Sequence, residues 1–216
     1  MSERKTIYLC LAHMSEDGAE QKYVKEAFDT NWVVPLGPNV NGFEADLEAF
    51  VNASAGNATD NAEKKVVALS AGTAAVHLAL LACGVGPGDE VIVQSFTFCA
   101  SSHPITYLGA TPVFVDSEPE TWNMDPRALE KAFETYPDCK CVIVANLYGT
   151  PAKLDEIRTI CDAHGAVLIE DAAESLSATY KGQQTGTFGQ YNAISFNGNK
   201  IITTSGGGML LSDDEA

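Results

Sequence analysis

The region between residues 66 and 170 alternates short apolar segments with helix-favouring segments, and this alternation constrains the fold more than any other feature. The apolar segments are rich in Val and Ile and lie at residues 66–69, 90–94, 111–115, 141–145 and 167–170. They are short enough for strands, and they are apolar on both faces, which is typical of a parallel sheet covered by helices on both sides. The pattern therefore predicts a three-layer α/β domain with a mostly parallel sheet.

The intervening segments have helix signals of their own. They lie at residues 73–83, 100–108, 127–135 and 154–164. Asp125 followed by Pro126 is a typical helix start, and Gly165 is a typical helix end. Two further strands, 192–196 and 209–212, have no helix between them, so we expect one antiparallel strand. Nearer the N-terminus we predict helices at 20–30 and 43–52, a turn-rich link at 31–38 and a loop at 53–63.

Composition excludes several function classes. The 216 residues contain 13 Lys and Arg against 29 Asp and Glu, a net charge of -16, which argues against binding nucleic acid through a basic face. We find no signal peptide and no apolar window of membrane-spanning length, so we expect a cytoplasmic protein without a membrane partner. The six cysteines are scattered and fit buried free thiols. Cys139 and Cys141 have the wrong spacing for a zinc site, so no metal is expected.

A candidate anion site follows the first predicted strand. Ser70-Ala71-Gly72-Thr73 opens a helix there, and ligands of such sheets collect beyond the carboxyl ends of the strands. Free N–H groups and the helix dipole favour an anion at this position. The alternative is a plain N-cap by Ser70. The segment has neither the lysine of a Walker loop nor the glycine spacing of a dinucleotide fingerprint, which argues against a nicotinamide-binding enzyme.

Two more features follow predicted strands. In Phe96-Thr97-Phe98 an aromatic ring could stack on a planar ligand, although such residues are more often part of the core. Glu170, Asp171 and Glu174 surround the end of an apolar strand, where an unpaired buried charge is costly. One explanation is a helix N-cap by Asp171. The functional alternative is a carboxylate that binds a cation such as a protonated ring nitrogen.

The fourth feature is Lys200, five residues after Ser195 and ahead of the run Gly206-Gly207-Gly208. A lysine beside an apolar pocket can act as a nucleophilic amine that forms Schiff bases, whereas a solvated loop lysine is the ordinary alternative. The glycines would let the backbone pass close to a ligand. An amine, a carboxylate, a stacking ring and an anion cradle together match the requirements of pyridoxal 5'-phosphate.

The sequence resembles the nucleotide-sugar aminotransferases of the DegT–StrS family, which have the fold-type I pyridoxal-phosphate architecture. The resemblance extends over the motifs NWVVPLGPNVNGFE, ALSAGTAAVHLAL, GVGPGDEVIVQSFTF, ATPVFVD, NLYGTP, IEDAAES and SFNGNKIITTSGGGML. The last motif is similar to those of bacterial enzymes that aminate sugars of the UDP-4-keto-6-deoxy-N-acetylglucosamine type, as in N-acetylbacillosamine or exopolysaccharide synthesis.

The resemblance implies two catalytic residues. Lys200 matches the lysine that forms the Schiff base with the cofactor and then moves protons as general acid and base. Asp171 matches the aspartate that keeps the pyridine nitrogen protonated. Lys200 also stands where a dehydratase offshoot of the family has histidine, which argues against dehydratase chemistry.

The resemblance also implies a set of cofactor-binding residues. Phe98 matches the aromatic that stacks on the ring, and Gly72, Thr73 and Ser195 match the phosphate cradle. Glu174 falls where the family places a side chain near the ring oxygen. Asn146 is a further candidate for the same neighbourhood, and residues 31–38 would approach the nucleotide sugar.

The implied reaction transfers an amino group from an amino acid, glutamate or glutamine, to a keto carbon of a nucleotide-linked sugar for bacterial polysaccharide synthesis. The alternative is a non-catalytic regulatory protein that binds the cofactor. By analogy we expect a homodimer. We expect an N-terminal helical segment with a substrate loop at 1–55 and a cofactor-binding large domain at 56–216. The resemblance implies family members nearly twice as long, with a C-terminal small domain that we expect to be absent from these residues. We therefore expect these residues alone to hold the cofactor weakly or to be inactive.

Overall fold

The computed structural model describes residues 14–53 and 63–214. The loop predicted at 53–63 lies almost entirely outside these ranges, as does Cys10. The five cysteines within them are free thiols, of which Cys139, Cys141 and Cys161 are buried and Cys99 is exposed. The expectation that the thiols are buried is therefore wrong for Cys99.

The strands and helices alternate as the sequence predicts. Within the described residues the strands are β1 (Lys65–Leu69), β2 (Glu90–Gln94), β3 (Thr111–Val115), β4 (Cys141–Ala145), β5 (Val167–Asp171), β6 (Thr179–Tyr180), β7 (Gln183–Gln184), β8 (Tyr191–Ser195) and β9 (Gly208–Ser212). The helices are α1 (Ala19–Asp29), α2 (Pro38–Ala53), α3 (Gly72–Ala82), α4 (His103–Tyr107), α5 (Pro126–Thr135) and α6 (Leu154–His164).

Seven strands form one mixed sheet in the order β1-β9-β8-β5-β4-β2-β3, and β6 and β7 form a separate hairpin. The neighbours from β3 to β8 pair in parallel, whereas β9 is antiparallel to both β1 and β8. The prediction of one antiparallel strand is confirmed. Its cause is the direct connection from β8 to β9, because a parallel pair needs a longer crossover, usually a helix.

Helices cover both faces of the sheet. In β4, Ile143 packs in one hydrophobic cluster with residues of α3 and α4, whereas Val142 and Val144 pack in another with residues of α5 and α6. The helix α2 covers the β1–β9 end of that second face through Leu47 and Val51. Successive strand residues point to opposite faces, which explains why these strands are apolar throughout. The predicted three-layer α/β architecture is confirmed.

Two predicted helices differ from the observed ones by more than a single residue at an end. The helix predicted at 100–108 is divided into a 3₁₀ turn, Cys99–Ser101, and the short α4. Pro104 lies at the start of α4 and has no N–H, so a continuous helix through this region would lack a hydrogen bond. The helix predicted at 43–52 begins earlier, at Pro38, since proline suits the first position of a helix.

The hairpin of β6 and β7 has no counterpart among the predicted elements.

All residues of α1 are at least partly exposed. Among the described helices, none is both long enough and apolar enough to span a bilayer.

Candidate active site

A cavity of about 280 Å³ opens at the carboxyl ends of the strands, between the start of α3 and the segment that links β8 to β9. The structure brings all of the predicted catalytic and cofactor-binding residues to its walls, whereas no residue of the predicted substrate link 31–38 lines it. The catalytic and cofactor-binding residues are Gly72, Thr73, Phe98, Asn146, Asp171, Glu174, Ser195 and Lys200. Ligands of open α/β sheets bind at this end of the strands, so the position of the cavity agrees with the fold.

Lys200 is not a solvated loop lysine. Its side chain is only 11% exposed, and its Nζ lies 3.2 Å from Oε1 of Glu174. The other carboxylate oxygen of Glu174 accepts the N–H of Tyr148 at 2.7 Å. Tyr148 has a left-handed backbone, with φ of 54°, which is uncommon for a residue with a bulky side chain. Glu174 therefore joins the lysine amine to a strained turn at the edge of the cavity.

Asp171 ends β5 and faces the cavity from a buried position. Its Oδ2 accepts a hydrogen bond from Ser101 Oγ at 2.7 Å, and its Oδ1 accepts one from the Ala173 N–H at 3.1 Å. Burial raises the pKa of Asp171, and these two hydrogen bonds oppose the rise. Residues 172–178 form turns and coil, so the interpretation of Asp171 as a helix N-cap is wrong.

The start of α3 forms another wall of the cavity. Its N-cap is Ala71, which offers no capping side chain, so the alternative of an N-cap by Ser70 is wrong. The Ser70 carbonyl instead accepts the N–H of Gly207 at 2.9 Å. A Cβ on Gly72 would lie 2.8 Å from Cβ of Ser195, so glycine allows Ser195 to reach the first turn of the helix. N–H groups, the helix dipole and a hydroxyl thus converge here, an arrangement suited to an anion.

Phe98 lies just before the 3₁₀ turn and contributes to the cavity wall. Its side chain is 64% exposed, so the alternative that it is a core residue is wrong. An exposed aromatic ring on a cavity wall is available to stack on a planar ligand.

Glu170 has a different position from its neighbour Asp171, because adjacent strand residues point to opposite faces. Its carboxylate is fully buried and accepts hydrogen bonds from Asn146 Nδ2 at 2.7 Å, Gly186 N–H at 2.7 Å and Phe188 N–H at 2.9 Å. Burial raises the pKa of Glu170, and these donors oppose the rise. Glu170 therefore fastens the loop after β7 and the Asn146 side chain to β5.

We expect Glu170→Gln to lower the free energy of unfolding by about 1–3 kcal/mol, the cost of a buried polar group left unpaired. The amide can replace the oxygen that accepts from Asn146 and Gly186, but its NH₂ group then faces the N–H of Phe188. Urea unfolding would measure the loss, with the exposed Glu130→Gln as the matched control. Equal midpoints for the two variants would contradict this role.

Ser101 and Tyr148 are two hydrogen-bond partners of the site residues that the sequence did not indicate. Ser101 lies inside a segment predicted as helix, and its partner Asp171 is 70 positions away. Tyr148 lies in the motif NLYGTP, where the following glycine marks a turn but does not reveal that its backbone N–H meets Glu174.

Comparison with known proteins shows the family of the chain that forms this cavity. The model of the DegT/DnrJ/EryC1/StrS aminotransferase family matches residues 14–216. The chain belongs to this family. EpsN of Bacillus subtilis (strain 168), assigned as a pyridoxal phosphate-dependent aminotransferase, is 56% identical over an alignment of 218 positions, gaps included, that covers 98% of this chain and 53% of EpsN. The GDP-perosamine synthase of Caulobacter vibrioides is 42% identical over 199 residues, covering 92% of this chain and 50% of the synthase.

Solved structures of other proteins have the same architecture. The PMP form of Spr1654 from Streptococcus pneumoniae, assigned as a sugar aminotransferase, aligns with a TM-score of 0.82 and 30% identity over 98% of this chain and 53% of that chain. The same protein is known in its PLP form. The chain spans about half the length of the curated relatives that it matches.

Proposed function

We propose that this protein is a pyridoxal-phosphate-dependent aminotransferase acting on a nucleotide-linked keto sugar. One observation supports this above the others: the Lys200 amine and the buried Asp171 carboxylate line the same cavity. A buried carboxylate needs a cationic partner, and a lysine amine of low exposure suits Schiff-base formation. A purely regulatory binding protein would not require both groups in one cavity.

The residues of the cavity fit the cofactor by their chemistry. The start of α3 with Thr73 and the Ser195 hydroxyl would hold the phosphate, and Phe98 would stack on the ring. Glu174 would lie near the ring oxygen, with Asn146 in the same region. The cavity thus offers one complementary group for each polar end of the cofactor and an aromatic surface for its ring.

When bound, pyridoxal phosphate supplies a ring that accepts electrons from the carbon losing its proton. The protein's own residues would then do three things. Asp171 would hold a proton on the ring nitrogen. Lys200 would move a proton between the substrate carbon and the cofactor carbon as a positioned general acid and base. The start of α3 and Ser195 would fix the phosphate, so that the reacting atoms stay beside Lys200.

The relatives support a proposal for the substrate and the setting. The synthase from Caulobacter vibrioides is named for GDP-perosamine, an amino sugar carried by a nucleotide. We accordingly propose a nucleotide 4-keto sugar as amino acceptor, with glutamate as the donor, in cytoplasmic polysaccharide synthesis by a homodimer. We further propose that residues 1–55 supply a substrate loop and that residues 56–216 bind the cofactor.

Half-transamination tests this function. The purified protein would be converted with glutamate to the pyridoxamine phosphate form and mixed with UDP-, dTDP- and GDP-linked 4-keto sugars in turn. We expect one sugar to restore the pyridoxal form, followed by its absorbance, and to yield an amino sugar detected by mass spectrometry. A protein that binds the cofactor but exchanges no amino group with any donor or acceptor would favour the regulatory alternative.

A further inference from the structure

Two hydroxyl groups, those of Ser101 and Thr97, are linked by hydrogen bonds to the Asp171 carboxylate. Ser101 is fully buried, and its Oγ donates to Asp171 Oδ2 at 2.7 Å. The Thr97 Oγ1 lies 2.8 Å from the same Ser101 Oγ. Ser101 has one hydroxyl proton, which is directed to the carboxylate, so Thr97 must be the donor in the second contact. The two hydroxyls thus form a directed chain that ends on Asp171.

The same turn also positions Phe98. The backbone N–H of Ser101 donates to the carbonyl of Phe98 at 3.0 Å and closes the 3₁₀ turn Cys99–Ser101. The backbone of Ser101 therefore fixes the residue that carries the exposed ring, and its side chain fixes the carboxylate. Both interactions lie within one tight turn after β2, so a shift of this turn would displace both groups together.

We propose that Ser101, supported by Thr97, is a positioning residue that keeps Asp171 ionised and aimed into the cavity. The inference rests on the proposed function for its catalytic meaning, since an ionised Asp171 is what holds a proton on a ring nitrogen. The role proposed for Ser101 concerns the protonation state of the Asp171 carboxyl group, and that state can be measured without any cofactor.

The surroundings of Asp171 both raise and lower its pKa, so the hydrogen bond from Ser101 affects whether the carboxyl group is ionised. Burial raises the pKa of the Asp171 carboxyl, and the negative charge of Glu174 acts in the same direction. The Ser101 hydroxyl, the Ala173 N–H and the positive charge of Lys200 act in the opposite direction. Glu174 and Lys200 are themselves paired, and their charges act on the pKa of Asp171 in opposite directions. The hydrogen bond from Ser101 is then a main support of the ionised form.

The test is a carbon NMR titration of the cofactor-free protein labelled with ¹³C at the aspartate carboxyls, with Asp171→Asn to assign the resonance. In Ser101→Ala we expect the Asp171 titration midpoint to rise by roughly one pH unit, because a hydrogen bond to a charged oxygen contributes about that much. Thr97→Val should give a smaller rise in the same direction, whereas Thr97→Ser should match the wild type. Ser102→Ala, on the next residue of the same turn, is the control.

Coincident midpoints for wild type and Ser101→Ala would overturn the proposal. A second measurement connects it to the cofactor: in protein loaded with pyridoxal phosphate labelled with ¹⁵N in the ring, Ser101→Ala should move the nitrogen resonance toward its unprotonated position. Failure of the wild type to take up the cofactor would contradict the proposed function. The carboxyl titration would still decide the role of Ser101.

Discussion

Replacement of Lys200 by alanine is expected to remove the yellow absorbance of the lysine-bound cofactor and to abolish half-transamination. Loss of a positioned acid–base group alone reduces rates by about 10²- to 10⁴-fold, and here the covalent attachment is lost as well. The variant should still fold, because Lys200 lies in the link between β8 and β9 and its Glu174 partner retains the Tyr148 N–H. Absorbance spectra and amino-group transfer from glutamate would measure both losses.

Two further variants sharpen this prediction. Lys200→Arg keeps a positive charge beside Glu174 but cannot form a Schiff base at neutral pH, so it should lack the absorbance of the lysine-bound cofactor, as Lys200→Ala should. Lys181→Ala removes an exposed lysine paired with Asp155 and should retain the wild-type spectrum. Persistence of the absorbance band in Lys200→Ala would assign the Schiff base to another amine.

Gly208→Ala is expected to lower the free energy of unfolding by about 3 kcal/mol or more, the scale of severe overpacking. A Cβ at this position would lie 2.3 Å from both the carbonyl carbon of Ala71 and the nitrogen of Gly72. These are backbone atoms at the start of α3, and Gly208 is itself paired with Leu69 and Ser195 in the sheet. Neither side can yield without moving the start of the helix, so affinity for inorganic phosphate or the cofactor should fall as well.

Gly206→Ala is the matched control from the same glycine run. Its added Cβ would lie 3.9 Å from the nearest atom, the Ser70 carbonyl oxygen, which is ordinary contact distance. We expect a change of less than about 1 kcal/mol. Urea and thermal unfolding would compare the two variants, and equal midpoints would show that the close approach at Gly208 does not limit stability.

The sequence predicted the central strands best, because short runs of Val and Ile between turn residues have few other ways to be buried. The bounds of β2, β3 and β4 and of α6 agree with those predicted. The prediction of one continuous helix at 100–108 was wrong. The residues there favour a helix by composition, but Pro104 has no N–H to donate to a continuous helix.

The sequence predicted those site residues that lie at or near the end of a strand. Asp171 is the last residue of β5, Phe98 and the turn at Gly72 lie within four residues of the ends of β2 and β1, and parallel strands bring their carboxyl ends together. Side-chain partners were not predictable in the same way, since the Ser101–Asp171 hydrogen bond depends on tertiary geometry. Likewise, only the pleat of β5 separates Glu170, which holds the loop after β7, from Asp171 in the cavity.

The position of β9 between β1 and β8 has a consequence for how the chain reaches its native state. The first strand of the sheet pairs with the last, Lys65 opposite Ser212, and β1 touches β8 only through β9. Contacts of such large sequence separation form slowly, because a long loop must close before they contribute. The anion-binding wall, which needs Gly72 beside Ser195, therefore forms only after the last strand has entered the sheet. During synthesis, the part of the chain before β9 would contain α1 to α6 but no place yet to hold a phosphate.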